Sequence, residues 1–211
     1  MRNGADSWMR AALNSAGLTG MLLPLLVVSG LLAWHTIRKD PWKPRWKIQC
    51  GMLAESVALA VVLLLTGQLH QLLFLSLQSG PTQEVATTTL STASAFTTPW
   101  AAVVTYFGAG IYEEVLFRLL LVPGVFGILR AISVARKPAV AGSVVLTALA
   151  FAAAHHVGTH GEAFDAFRYT FRAAAGTFFA VVFYLRGFGI TVGCHTAYDL
   201  LVGVLLAAPS Q

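Results

Sequence analysis

Charge is what this sequence has least of. Only 11% of its 211 residues are Asp, Glu, Lys or Arg, against about 25% in a typical soluble domain. With 56% hydrophobic residues, the chain lacks the polar surface that a soluble protein of this size needs to cover its core. Cysteine is scarce as well. Cys50 and Cys194 are the only two, they fall in separate apolar segments, and they form neither a metal nor a redox motif. The formal net charge is +5, yet there is no Lys/Arg-rich arm and no interleaving of basic and aromatic residues, so nucleic acid is not an expected partner. There is no internal repeat. The first apolar stretch is too long for the core of a signal peptide and is followed by no clear small-residue cleavage site, so it reads as a retained span.

What is present is a series of apolar runs, each long enough to cross the hydrocarbon layer. They predict an all-α, polytopic transmembrane bundle with about six spans: Leu18–Ile37, Ile48–Leu77, Pro99–Val122, Val140–His156, Phe167–Leu185 and Ile190–Ala208. Pro123-Gly124 marks a kink or break, after which a more amphipathic stretch, Val125–Val134, continues toward the interface. Residues 1–98 form an N-terminal region with two spans. Residues 99–211 form the core, whose four spans are expected to enclose a polar cavity. Membrane lipid is the expected surrounding.

The basic residues sit in short loops, where they argue for orientation. Arg38, Lys39, Lys43, Arg45 and Lys47 put the first connection in the cytoplasm, and Arg130, Arg136, Lys137 and Arg186 put two later ones there. Ser79–Thr98 has no Lys or Arg, and neither has Gly158–Asp165, which holds Glu162 and Asp165; both read as outside. The alternation sets both termini outside, with Arg2 and Arg10 in mild opposition.

Ionisable groups inside a span are functional candidates by default. Glu113 and Glu114 lie in the third span, His155 ends the fourth, and His195 and Asp199 lie in the sixth. Residues four apart on a helix share a face, and neighbours are turned by about 100°. Glu114 and Arg118 therefore pair as scaffold and Glu113 faces the polar interior, or else both glutamates serve only to neutralise Arg118. Phe151 is one turn before His155 and packs beside its ring. Taken alone, a histidine at a span end reads more readily as interfacial or hydrogen-bonded, as His156 and His160 do. His195 and Asp199 share a face, so Asp199 either fixes the imidazole tautomer or joins it in stabilising an oxyanion. A packing pair between helices is the plainer alternative. Cys194 adjoins His195 in sequence but points elsewhere, which disfavours a Cys-His dyad.

Three motifs bring these residues together: Glu113-Glu114-Val-Leu-Phe-Arg118, Phe151-Ala-Ala-Ala-His155 and His195-Thr-Ala-Tyr-Asp199. In this order, each on an apolar helix, they resemble the CPBP family of CAAX-protease and bacteriocin-processing membrane proteins, also called Abi. The resemblance covers roughly Pro99–Ala208. It implies an endopeptidase working in or at the membrane, with Glu113 as general base, His155 assisting it, and His195 with Asp199 at the oxyanion. It implies no cofactor. The competing metal form uses Glu113, His155 and His195 as zinc ligands around an open position.

Expected substrates are membrane-proximal peptide bonds in a leader, a sorting anchor or a prenylated tail. The compact, Ala-rich chain reads as bacterial and of the inner membrane, which ranks peptide and sorting substrates first. Other classes are a catalytically silent immunity or binding protein on the same scaffold, and a proton relay or transporter. The intact Glu113, His155 and His195 argue against the former. The absence of paired Gly/Pro-broken helices in two related halves argues against the latter.

Overall fold

A computed structural model describes residues 4–78, 99–157 and 161–205, and among these the chain is helical with no strand. The Ser79–Thr98 connection, His160 and the last residues of the sixth span lie outside the described residues. The long helices are α1 (Gly4–Ser15), α2 (Leu23–Ile37), α3 (Trp46–Gln78), α4 (Pro99–Glu114), α5 (Val122–Ala131), α6 (Arg136–Ala154), α7 (Ala166–Arg186) and α8 (Phe188–Leu200). Two π-helical segments, Val115–Leu121 and Leu201–Leu205, follow α4 and α8 without a gap.

Three of the described stretches are long and apolar enough to cross a membrane: Gly20–Ile37, Trp46–Leu77 and Arg136–Ala154. α7 has the length but carries Arg168, Arg172 and Arg186, and Phe188–Val204 is a shorter apolar helix. The outer helices turn apolar side chains outward. Leu25, Val28, Leu65 and Leu72 are all exposed, while Glu113, Glu114, Arg118, Thr147, Thr191 and His195 are buried. Lipid as solvent accounts for this inversion, because apolar side chains gain nothing by leaving it and polar groups must find partners within the bundle.

α8 is the hub, packing against α3, α4 and α7, while α6 lies against α5 and α7. Small residues let these helices approach. A Cβ on Gly193 of α8 would strike Ser56 of α3, and one on Gly176 of α7 would meet Ala148 and Phe151 of α6. Between α7 and α8 the chain turns at Gly187, whose φ of 85° is open to glycine and strained for most other residues. Beside that turn, the Arg186 guanidinium grips the Glu55 carboxylate of α3.

Two features depart from the sequence reading. The polar N-terminus folds as α1, twelve residues long and too short to span. Its Ala5 and Met9 are buried, and Arg10 bonds Asp6 across one turn at 2.8 Å. The break near Pro123 is also milder than expected. The chain enters α5 directly, because the change of register happens before the proline, where Val122 N–H reaches back five residues to the Phe117 carbonyl.

Candidate active site

Three helices, the first with its π-helical continuation, bring the ionisable groups to one place. Glu113 and Glu114 close the regular part of α4, Arg118 follows in the π segment, His155 caps α6, and His195 and Asp199 sit on α8. A π turn inside a helix often marks a functional site, and here it directly follows the paired glutamates. The fourth helix stops at Ala154, two residues short of the expected end at His156. His155 is nonetheless held inward, because its Nδ1–H donates to the Phe151 carbonyl at 2.8 Å and its ring lies edge-on to Phe151 with centroids 5.0 Å apart.

That bond fixes the chemistry of the ring. A carbonyl only accepts, so Nδ1 carries the proton and Nε2 is the free nitrogen. Nε2 faces Glu113 Oε2 at 3.9 Å. His195 is oriented in the same sense. Its Nδ1–H donates to Glu114 Oε1 at 2.7 Å, and its Nε2 lies 3.7 Å from Glu113 Oε2 and 3.6 Å from Asp199 Oδ2. Phe179 stacks on the His195 ring at 4.5 Å, nearly parallel. Two imidazoles therefore present their Nε2 atoms to one carboxylate. At 3.6 Å and beyond, these separations are too long for direct hydrogen bonds, and short enough for one small molecule to touch both partners.

The tautomer of His195 is thus set by Glu114 and not by Asp199, whose carboxylate meets the other ring nitrogen. Glu114 has two partners, since its Oε2 also pairs with Arg118 Nε at 3.0 Å. Arg118 is 2% exposed. Its Nη2 donates to the Gly176 carbonyl at 3.2 Å, and its guanidinium lies 4.8 Å from the Phe151 ring and 5.3 Å from that of Phe179. Glu114 and Arg118 pair as helix spacing predicts, and the same carboxylate reaches further, to His195 on another helix.

A cavity of about 160 Å³ opens beside these groups, lined by Phe151, His155, His195, Tyr198 and Asp199 together with two arginines. Glu113 is not among its lining residues. A larger apolar cavity of about 570 Å³, between α1, α2 and the π segment, contains no ionisable side chain and so offers no acid–base chemistry. Among the described residues, no three His, Cys, Asp or Glu side chains are grouped so as to hold a metal ion. Cys50 and Cys194 are both free thiols, the first exposed and the second buried.

Several contributors are invisible to motif reading. Phe179 and Gly176 follow from how α6 and α7 cross. Arg168 and Arg172 do carry a readable signal, because they are cations inside an apolar segment, but they belong to none of the three motifs. Glu162 reads from sequence only as a loop acid. Its carboxylate bonds both Arg168 Nη1 at 3.0 Å and Arg172 Nη2 at 2.9 Å. Burial pushes the Glu162 pKa up, but the two guanidiniums outweigh it and hold the group below the usual glutamate value. Asp165 caps α7, accepting the Arg168 backbone N–H at 2.7 Å.

The Glu114–His195 contact depends on how closely α4 approaches α8. A Cβ on Gly110 would collide with the Thr196 hydroxyl, one residue past His195. Gly110→Ala is therefore expected to destabilise the protein by about 1–3 kcal/mol, as overpacking does, and to lower activity by separating α8 from Glu114. The double variant Gly110→Ala/Thr196→Ala should recover most of both. Melting in detergent and turnover, measured side by side, check the pair, and failure of the second substitution to rescue would show that the crossing is not what matters.

The apolar exterior and the buried ion-paired interior define an integral membrane protein. The family model described as type II CAAX prenyl endopeptidase Rce1-like matches residues 95–201, just over half of the chain, and the chain belongs to this family, which is one of proteases. No curated protein and no solved structure matches it.

Proposed function

We propose that this protein is an intramembrane endopeptidase that hydrolyses a peptide bond of a membrane-associated protein or peptide with a water activated by Glu113 and His155. The observation that carries the reading is the convergence of His155 Nε2 and His195 Nε2 on Glu113 Oε2, with each Nδ1 already committed elsewhere. A water lying between Glu113 and His155 loses a proton to the carboxylate as its oxygen attacks the scissile carbonyl carbon. The resulting oxyanion meets His195 Nε2, which donates to it when the ring is an imidazolium, since in the neutral ring the Nδ1–H that serves Glu114 is the only donor. As the tetrahedral intermediate collapses, the proton taken from water passes to the departing amine. Asp199 stabilises an oxyanion only when it carries its own proton; otherwise it acts as a second partner of His195. No step is routed through a metal.

The catalytic unit in this reading is residues 99–211, on a six-span bundle in the bacterial inner membrane. The family's description brings prenylated tails forward beside the leader and sorting peptides that composition ranks first. The test is cleavage of a quenched-fluorescence peptide panel, with and without a farnesylated cysteine, by the purified protein in detergent. His155→Ala is expected to lose about 100-fold or more in turnover, and a chelator is expected to change nothing. Full activity in His155→Ala would remove the residue from the mechanism. Loss on chelation, restored by zinc, would replace the metal-free form with the metalloprotease.

A further inference from the structure

Two cations line the cavity beside the histidines and share one hydrogen-bonded counter-ion, with Asp199 as the other acid on its wall. Arg168 and Arg172, one turn apart on α7, both line it, and both bond the same carboxylate, that of Glu162. Two guanidiniums share one anion. The Arg172 side chain is 17% exposed, and its Nη1 is buried without a hydrogen-bond partner. A buried donor left unmade is expensive, more so when it is charged. Such an arrangement is expected of a site completed by a ligand.

The pair is also built into the catalytic framework. The Glu162 backbone N–H donates to the His155 carbonyl at 2.9 Å, and the His156 Nδ1–H donates to the Glu162 carbonyl at 3.3 Å. Gly161 permits this approach, since a Cβ there would run into the His156 backbone. One residue thus ties the end of α6, where His155 sits, to both arginines. Arg172 lies within Coulombic reach of His155, and neither arginine forms a hydrogen bond to Asp199, the acid that shares the cavity. Because Arg172 also lines the cavity, its side chain is within reach of a molecule that enters beside the attacking groups.

We propose that Arg172, held by Glu162 and flanked by Arg168, is an anion subsite that binds a carboxylate of the substrate next to the scissile bond. Guanidinium is suited to this partner, because its planar donors match a carboxylate in a desolvated site. Two sources share this chemistry, a free peptide C-terminus and an acidic side chain. The proposal rests on the proteolytic reading for the word substrate, but the binding it describes can be measured without turnover.

The probe is one membrane peptide with a farnesylated cysteine followed by three aliphatic residues. It is made as the free acid, as the C-terminal amide, and as an amide with Asp in the last position. On the unmodified protein, the acid is expected to show a KM roughly 10- to 100-fold below that of the amide, the range for a hydrogen bond to a charged group. Arg172→Gln should erase the difference, and Arg172→Lys should keep part of it. If the Asp amide matches the acid, a side chain can supply the anion; if it behaves as the plain amide, the terminus does.

Equal handling of acid and amide by the unmodified protein overturns the subsite, and that comparison needs no variant to fold. A preference that survives in Arg172→Gln also overturns it. Binding of the three peptides to Glu113→Gln protein separates the two readings. If the unmodified protein cleaves none of the peptides but the acid still binds better in an Arg172-dependent manner, the protease assignment fails and the subsite stands. No binding, or binding without preference, removes the subsite whatever the turnover.

Discussion

Glu113→Gln is expected to lower turnover by about 10²- to 10⁴-fold, the range for removing a positioned general base, while the protein folds and melts close to the unmodified chain. Gln keeps the shape of the side chain and removes its ability to take a proton. Both histidines retain their anchors, because His155 is bonded to the Phe151 carbonyl and His195 to Glu114, and neither bond involves Glu113. The loss should therefore appear in kcat with KM little changed, as for an interaction needed in the transition state rather than in binding. Turnover of the fluorogenic peptides, with melting measured in the same detergent, gives both readings. Undiminished kcat in Glu113→Gln would transfer the base role to His155, which lines the cavity where Glu113 does not. A fall in stability matching the fall in turnover would make Glu113 structural.

How much of this was legible without coordinates differs from residue to residue. The Glu114–Arg118 pair and the Phe151–His155 contact are local, one helical turn apart, and follow from helix geometry. The membrane class follows from composition. What helix geometry does not carry is anything that depends on two helices crossing. Glu114 reaching His195 needs α4 against α8 at Gly110, and Phe179 stacking on His195 needs α7 against α8. Glu162 reaching Arg172 needs the short segment before α7 to fold back on α6. The N-terminal helix escapes a hydropathy reading for a different reason. Its apolar residues Ala5, Trp8 and Met9 recur at helical spacing, but twelve residues with Asp6 and Arg10 among them give no span-length signal. The six spans drawn from hydropathy coincide with helices within a few residues. Three of those helices are apolar and long enough to stand as crossings by themselves, because α4 is short and α7 carries arginines.

The pair that is legible first carries the largest stability consequence. Arg118→Met is expected to destabilise the protein by about 3–5 kcal/mol, the range for removing one partner of a buried ion pair. Glu114 is fully buried and would be left with its charge and only the His195 Nδ1–H to meet it. The Gly176 carbonyl would lose its donor as well. Glu114→Gln strands Arg118 in the same way and also weakens the anchor of His195, so it should lose both stability and turnover. The informative case is Arg118→Met/Glu114→Gln. With both charges gone, the desolvation penalty disappears on both sides, and the double variant should melt higher than either single one, a non-additivity of about 0.5–3 kcal/mol being usual for residues in contact. Activity should not return with stability, because the amide that Glu114→Gln introduces cannot match a carboxylate as partner for the His195 Nδ1–H. Denaturant titration in detergent micelles and turnover on the same preparations separate the two quantities. Recovery of activity together with stability would reduce Glu114 to a counter-ion of Arg118, with no part in orienting His195. Recovery of neither would mean that the cavity wall formed by Phe151, Gly176 and Phe179 requires the guanidinium itself, through the ring faces it lies against.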